Sequence, residues 1–320
     1  MYNIGIDIGG TNIAVGIVND NYEIIADAKC KTKSERPAQN IIKDMADITL
    51  QALESAGLSL NDINSIGIGC PGTVVAASGD VLTSNNLEWQ NLPLVKMFKE
   101  HINKTVYVEN DANAAAYGEY LAGAGKGTKS FMTLTLGTGV GSGIIIDGKI
   151  YSGCNSAGGE FGHTVIVANG YTCTCGRKGC LEVYASASGL IRQTKEAMLE
   201  NKDSLMWQLV GGDIEQVSGR TAYDGKRKGD KVAAEVVDNY QCYVAAGITN
   251  AVNVFQPQVL CIGGGISKEG DNILLPIIEI VKKERYSKNN PVQTEIKIAA
   301  LNNDAGIIGA AMLYKLHQNI

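Results

Sequence analysis

Twice along this chain an apolar strand pattern stops at a glycine-rich turn and resumes on the far side, and this duplication limits the possible folds more than any other feature. In the first copy Ile4, Ile6 and Ile8 alternate, Gly9-Gly10 break the run, and Ile13, Val15 and Ile17 continue it. In the second, residues 131–136 form an apolar run, Gly137-Thr138-Gly139 interrupt it, and residues 140–147 lead to the hairpin signal Asp147-Gly148. Alternation with period two marks strands, and glycines permit the tight reversal between them. Further strands are expected at 63–69, 105–109, 258–262 and 295–301. Helical patterns cover 38–55, 112–121, 231–255, about 270–285 and about 305–317. With 320 residues and 45% hydrophobic composition, more than one core is expected. The simplest architecture is α/β, with two domains and a cleft between them. The boundaries expected are 1–115 plus about 302–320 for a small first domain and 116–301 for a larger second one. The last helix is expected to return to the first half.

Bulk properties exclude several classes. Net charge is −5, with no basic stripe, which argues against nucleic-acid binding. No apolar run approaches the roughly 20 residues that cross a bilayer, and residues 1–7 lack the features of a signal peptide. A cytoplasmic, reducing location is therefore expected, so the eight cysteines read as core residues or metal ligands, not as a disulfide framework.

The two glycine turns suit phosphate. Backbone N–H groups at Gly9, Gly10, Gly137 and Gly139 can approach phosphate oxygens, and Thr11 and Thr138 add hydroxyl donors. Asp7, ending its strand, can hold Mg²⁺ directly or through water. A pair of plain hairpins would show the same letters. Two other glycine motifs fail in context. Gly67-x-Gly69-x-x-Gly72 is followed by Thr73-Val74-Val75, which opens no helix, so it is not a dinucleotide fingerprint. Residues 123–127 lack the Gly-Lys-Ser/Thr of a Walker loop.

Glu109-Asn110-Asp111-Ala112-Asn113 joins a strand to a helix. A carboxylate there can take the proton of an attacking hydroxyl during phosphoryl transfer. Asn110 or Asp111 fits a helix N-cap equally well. Farther on, His163 precedes Cys173-x-Cys175-Gly176-x-x-Gly179-Cys180. One imidazole and three thiolates make a closed, structural Zn²⁺ set, the alternative being three buried cysteines or a redox trio. Glu160 and Glu182 flank this loop and suit sugar hydroxyls.

Taken together, these segments resemble the ROK family of the actin- and hexokinase-like (ribonuclease H-like) superfamily, over nearly the whole chain. The most specific stretch is Gly159-Glu160-x-Gly162-His163 followed by Cys173-x-Cys175-Gly-x-x-Gly-Cys180-x-Glu182. Within the family the chain is most similar to bacterial ATP-dependent glucokinases, on Glu109 to Ala115, Leu136 to Gly141 and Asn303 to Ala310. The resemblance implies Asp111 as the base acting on the sugar 6-hydroxyl. It implies Gly72, Asn86, Asn110, Asp111, Glu160, His163 and Glu182 around the sugar, His163 also binding zinc. ATP phosphates fall to Gly9, Gly10, Thr11, Gly137, Thr138 and Gly139. Gly263, Gly264 and Gly265 border the adenosine, and Asp7 positions Mg²⁺. A homodimer or tetramer is implied. Two positions depart from the family pattern: Asn12 stands where many relatives have Lys, and residues 85–89 lack a common Pro-Gly. The alternatives are another hexose (fructose, N-acetylmannosamine, N-acetylglucosamine or allose) and a sugar-responsive repressor. The repressor is disfavoured because Asp7 leaves no room for a preceding DNA-binding domain.

Overall fold

The structure, a computed structural model, describes residues 1–318. In chain order it opens with β1 (Tyr2–Ile8), β2 (Asn12–Asn19) and β3 (Ile24–Lys31), then α1 (Ala38–Ser55) and β4 (Ile63–Cys70). Three short strands follow, β5 (Thr73–Val75), β6 (Asp80–Ser84) and β7 (Trp89–Leu92). Next come α2 (Leu94–Lys99), β8 (Val106–Asn110) and α3 (Asp111–Ala122). The second half begins with β9 (Ser130–Leu136), β10 (Val140–Ile146) and β11 (Lys149–Ile150). It continues with α4 (Glu182–Ala185), α5 (Ala187–Glu200), α6 (Met206–Leu209), α7 (Thr221–Arg227) and α8 (Lys231–Phe255). The chain closes with β12 (Val259–Gly263), α9 (Asp271–Glu284), β13 (Glu295–Ile298) and α10 (Asp304–Ala311).

Two five-stranded sheets have the orders β3-β2-β1-β4-β8 and β11-β10-β9-β12-β13, and β5-β6-β7 form a third, smaller one. In the first sheet β1–β2 and β2–β3 pair antiparallel, while β1–β4 and β4–β8 pair parallel. In the second, β10–β11 is antiparallel and β12–β13 parallel. The matching strand orders are the structural form of the duplication visible in the sequence.

The chain divides into two compact units. The first holds Met1–Met132, Gly143–Gly159 and the described residues from Ala300 onward; the second holds Thr133–Ser142 and Glu160–Ala299. A boundary at 115/116 falls inside α3, and the whole helix stays with the first unit. Residues 319 and 320 of the expected first domain lie outside the described residues.

Within the first unit, α10 lies on the sheet with almost no clearance. A Cβ at Gly5 would meet the Ile307 carbonyl oxygen at 1.9 Å, and one at Gly67 would meet that of Ala310 at 1.7 Å. A Cβ at Gly309 would meet the Ala114 carbonyl of α3 at 1.7 Å. Gly67 therefore serves packing, not a dinucleotide. On the other face α1 buries Ile41, Met45, Ile48 and Ala52, the stripe that its spacing implies. Two expected elements are shorter than read. β13 ends at Ile298, and just beyond it, in the first unit, the Glu119 carboxylate accepts the N–H groups of Ala300 (3.1 Å) and Leu301 (2.6 Å). The final helix stops at Ala311, and a 3₁₀ turn (Leu313–His317) follows. There the Met312 N–H is shared between the Ile308 and Gly309 carbonyls, the tightening common at helix ends. In the second unit α8 is the core helix, packed by α4, α5, α7 and α9. Its N-cap Asp230 accepts the Ala233 N–H at 3.0 Å.

Candidate functional site

The turn between β1 and β2 is fixed before any ligand arrives. Gly9 N–H donates to the Asn12 carbonyl at 2.9 Å. Thr32, wholly buried just past β3, donates its hydroxyl to the Gly9 carbonyl at 2.6 Å, and its N–H reaches the Thr11 carbonyl at 3.0 Å. Both bonds use carbonyl oxygens, so neither occupies the N–H groups of Gly10 and Thr11, which an anion could reach. Thr32 was not foreseen. No local sequence signal marks it, because its place opposite Thr11, one step beyond the Asn12–Lys31 pair, depends on the β2–β3 register, a long-range property.

Around this turn the first unit gathers Asp7, Asn86, Asn110, Asp111 and Gly72. A Cβ at Gly10 would lie 3.7 Å from the Asn86 Cβ, so the glycine and the asparagine are in contact range. Asn110 donates its side-chain amide to the Gly72 carbonyl at 3.0 Å. Gly72 has φ +109, and a Cβ there would meet the Thr83 carbonyl oxygen at 2.0 Å, so glycine is required.

The acid-rich strand end resolves into distinct roles. Asn110 is the N-cap of α3, its side-chain oxygen accepting the Asn113 N–H at 3.1 Å. The capping role thus goes to Asn110, and Asp111 is the first helical residue, where a negative charge meets the positive end of the helix dipole. Glu109 is buried and accepts from Asn113 Nδ2 (3.0 Å) and the Asn110 N–H (2.9 Å). Burial raises its pKa, partly offset by those two hydrogen bonds. Glu109 thus fastens the start of α3.

Asp7 is the most perturbed carboxyl of the site. Burial pushes its pKa up to about 7, and the nearby charge of Asp111 adds to the rise. Gly306, in the first turn of α10, makes this placement possible, because a Cβ there would lie 2.7 Å from Asp7 Oδ2. Two carboxyl groups sharing one field, beside the N–H groups of Gly10 and Thr11, suit a divalent cation and a phosphate.

In the second unit the Gly137–Gly139 turn is closed by a bond from the Gly137 N–H to the Gly139 carbonyl at 3.0 Å. The Ala187 N–H, opening α5, holds the Gly137 carbonyl at 2.8 Å. Glu182 Oε2 accepts the Val140 N–H at 3.0 Å, while its Oε1 lies 3.6 Å from Cys173 Sγ. The same carboxylate thus ties the metal-ligand loop to the glycine turn. Gly264 (φ +85) lies against Leu136, whose carbonyl oxygen a Cβ would meet at 2.4 Å. Glu160 is exposed and precedes the short turn Phe161–His163, where the Phe161 N–H reaches Ser142 Oγ at 3.0 Å.

His163, Cys173, Cys175 and Cys180 converge, their ligand atoms all within 4.8 Å of one another. Cys175 and Cys180 sulfurs are 3.7 Å apart, and Cys173 Sγ is 3.6 Å from His163 Nδ1. Tetrahedral zinc, with bonds of about 2.3 Å to sulfur and 2.0 Å to nitrogen, sets these edges at about 3.8 and 3.5 Å. The residues fit the ion. Nδ1 faces the cluster, leaving Nε2 for another partner. Gly176 (φ +86) and Gly179 (φ +82) make the knuckle, and a Cβ at Gly179 would strike the Val167 carbonyl oxygen at 1.7 Å. Tyr171, just before the ligands, lies under Arg192 of α5 at 3.5 Å, which anchors the loop.

Comparison with known proteins agrees with this picture. The profile of the ROK family matches residues 3–317. A glucokinase of Halalkalibacterium halodurans is 36% identical over 318 residues, covering 99% of this chain and 96% of that protein. A glucokinase of Thermotoga maritima is 34% identical, covering 98% and 96%. Among solved structures, a ROK family glucokinase from Streptomyces griseus in complex with glucose and AMPPNP is 34% identical. It superposes with a TM-score of 0.83 over 98% of this chain and 99% of that one. The fold is accordingly the actin/hexokinase-like one.

Two outcomes follow from the geometry. The purified protein should carry about one zinc per chain by elemental analysis. Cys180→Ser should lose the metal and lower the thermal midpoint, since such a site contributes on the order of 10 kcal/mol to folding its loop. Asp7 has a folded pKa of about 7 against 3.8 unfolded. The contribution of Asp7 to stability should therefore be full below about pH 4 and be lost as pH rises through 7. In urea titrations Asp7→Asn should remove that slope and be the more stable protein at pH 7; an unchanged slope would place the titration elsewhere.

Proposed function

This chain belongs to the ROK family, and we propose that it is a glucokinase, transferring the γ-phosphoryl group of MgATP to the 6-hydroxyl of D-glucose. The observation that carries the reading is the Asp7–Asp111 pair beside the Gly9–Thr11 turn. Asp111 takes the proton of the 6-hydroxyl as the new P–O bond forms and the bond to the β-phosphate oxygen breaks, releasing ADP. Its neighbour Asn110 is held by its cap and by Gly72, so the acid enters the reaction on a fixed helix start. Gly9, Gly10, Thr11, Gly137, Thr138 and Gly139 are the proposed phosphate ligands, with Gly263, Gly264 and Gly265 beside the adenosine. Bound Mg²⁺ would neutralise charge on the phosphates, with Asp7 as its carboxylate, and Mg²⁺ binding favours the ionised form of that acid.

The proposed hexose ligands are Gly72, Asn86, Asn110 and Asp111 from the first unit, and Glu160, His163 and Glu182 from the second. The zinc knuckle carries no chemistry in this reading. It holds Glu182 and the free face of His163 in place, as a rigid support does for a binding residue. The curated glucokinases favour glucose as the acceptor, since they match this chain over almost its whole length. The family resemblance extends the proposal to a cytoplasmic homodimer or tetramer.

The test is a coupled ADP-release assay over glucose, mannose, fructose, allose and N-acetylhexosamines. Glucose should give the highest kcat/KM. Preference for an N-acetylhexosamine would replace the substrate, and no turnover with any sugar would remove the activity. Asp111→Ala should bind glucose and lose at least 10²-fold in kcat, the range of a general base; wild-type turnover in that variant would take Asp111 out of the mechanism.

A further inference from the structure

A cavity of about 930 Å³ in the first unit opens beside the Gly9–Thr11 turn and continues along β2, β3 and the start of α10. Three acids line it, Asp7, Asp27 and Asp304. Among its described lining residues the only cations are Lys29 and Lys31. A polyanion entering such a cavity meets repulsion unless those two charges offset it.

The sheet places both lysines on the face that carries Asp7. In the β2–β3 register Lys31 pairs with Asn12 and Lys29 pairs with Ala14, and Ala14 pairs in turn with Asp7. Residues directly opposed in a sheet share a face, so Asp7, Ala14 and Lys29 form one row across three strands. Two strand spacings separate the ends of that row, about 10 Å between backbones, which a lysine chain largely spans. Ala14 between them is small and leaves the row open. Lys31 is the residue before Thr32, whose two hydrogen bonds to Gly9 and Thr11 lock the end of β3 to the turn. Both lysines are exposed, and neither has an ion pair among the described residues. Position 12, the first residue after the turn, is an uncharged Asn.

We propose that Lys29 and Lys31 form the cationic arm of the phosphate site and hold the charged chain of the nucleoside triphosphate at the Gly9–Thr11 turn, a task that Asn12 cannot perform. The inference rests on the ATP-dependent reading above. It predicts that the lysines act in proportion to phosphate charge and not on the adenosine.

Calorimetric titration of MgATP, MgADP and AMP into the intact wild-type protein tests this, alongside Lys29→Met/Lys31→Met and the charge-keeping Lys29→Arg/Lys31→Arg. The methionine pair should weaken MgATP binding roughly five- to twenty-fold, the order for two exposed charges. AMP binding should change less than twofold. The loss should shrink at 0.5 M salt, where exposed charges are screened, and the arginine pair should restore binding. Equal losses for ATP and AMP, or no loss, overturn the proposal. A matching urea midpoint for the methionine pair excludes misfolding; were it lowered, the single variants and the arginine pair carry the same ATP-against-AMP comparison. If wild-type protein binds no nucleotide, the functional reading falls and takes this one with it; if it binds ATP and the methionine pair binds equally well, only the lysine arm falls.

Discussion

The close seating of α10 is the constraint on which the rest of the first unit depends. Glycine at 5, 67 and 309 removes the side chains that would hold the helix away from β1, β4 and α3. Helix and sheet then meet backbone to backbone, and α3 and α10 touch through Ala114 and Gly309. Close packing of this kind transmits position faithfully, because cores do not deform continuously. The end of β1, the start of α3 and the first turn of α10 are therefore fixed together, and those three points carry Asp7, Asp111 and Gly306.

That arrangement accepts an electrostatic cost. Asp7 is held where burial and Asp111 both oppose its ionisation. Glu109, two strands away in the same sheet, is also buried, but two hydrogen bonds from Asn110 and Asn113 partly compensate it. The contrast separates a carboxyl used to build the helix start from one kept poorly compensated. A poorly compensated acid beside the Gly10 and Thr11 N–H groups is what a divalent cation and a phosphate together would relieve. The second unit achieves local rigidity by other means. Its Gly137–Gly139 turn is held by Ala187 and, through Val140, by Glu182, which also touches the metal-ligand loop.

What was legible in the sequence was mostly local. The α8 stripe repeats over 25 residues, and its ends at Lys231 and Phe255 emerge where the periodicity places them. The metal set was legible because ligand chemistry and turn glycines lie within a short stretch, Cys173 to Cys180, with one histidine upstream. The strands β5 to β7 were not assigned, being three to five residues each, though Thr73-Val74-Val75 was correctly denied a helix. Helix α5 also escaped, since its buried stripe of Gly189, Leu190, Thr194 and Met198 is weakly apolar. Thr32, Gly306 and Glu119 were out of reach for one reason. Each acts on a partner distant in sequence, namely the Gly9 turn, Asp7 and the Ala300–Leu301 link. Two sequence readings stood open at Glu109 to Asn113, and the structure settles the capping role on Asn110.

In the proposed function these carboxylates and glycine turns move a phosphoryl group onto a sugar. Phosphorus-31 NMR of the zinc-replete protein with MgATP and D-glucose watches that atom directly. The γ resonance should disappear with matching growth of a phosphomonoester signal coupled to the two C6 protons of glucose. Release of the γ-phosphoryl group only as inorganic phosphate, or spectra that do not change, would contradict it.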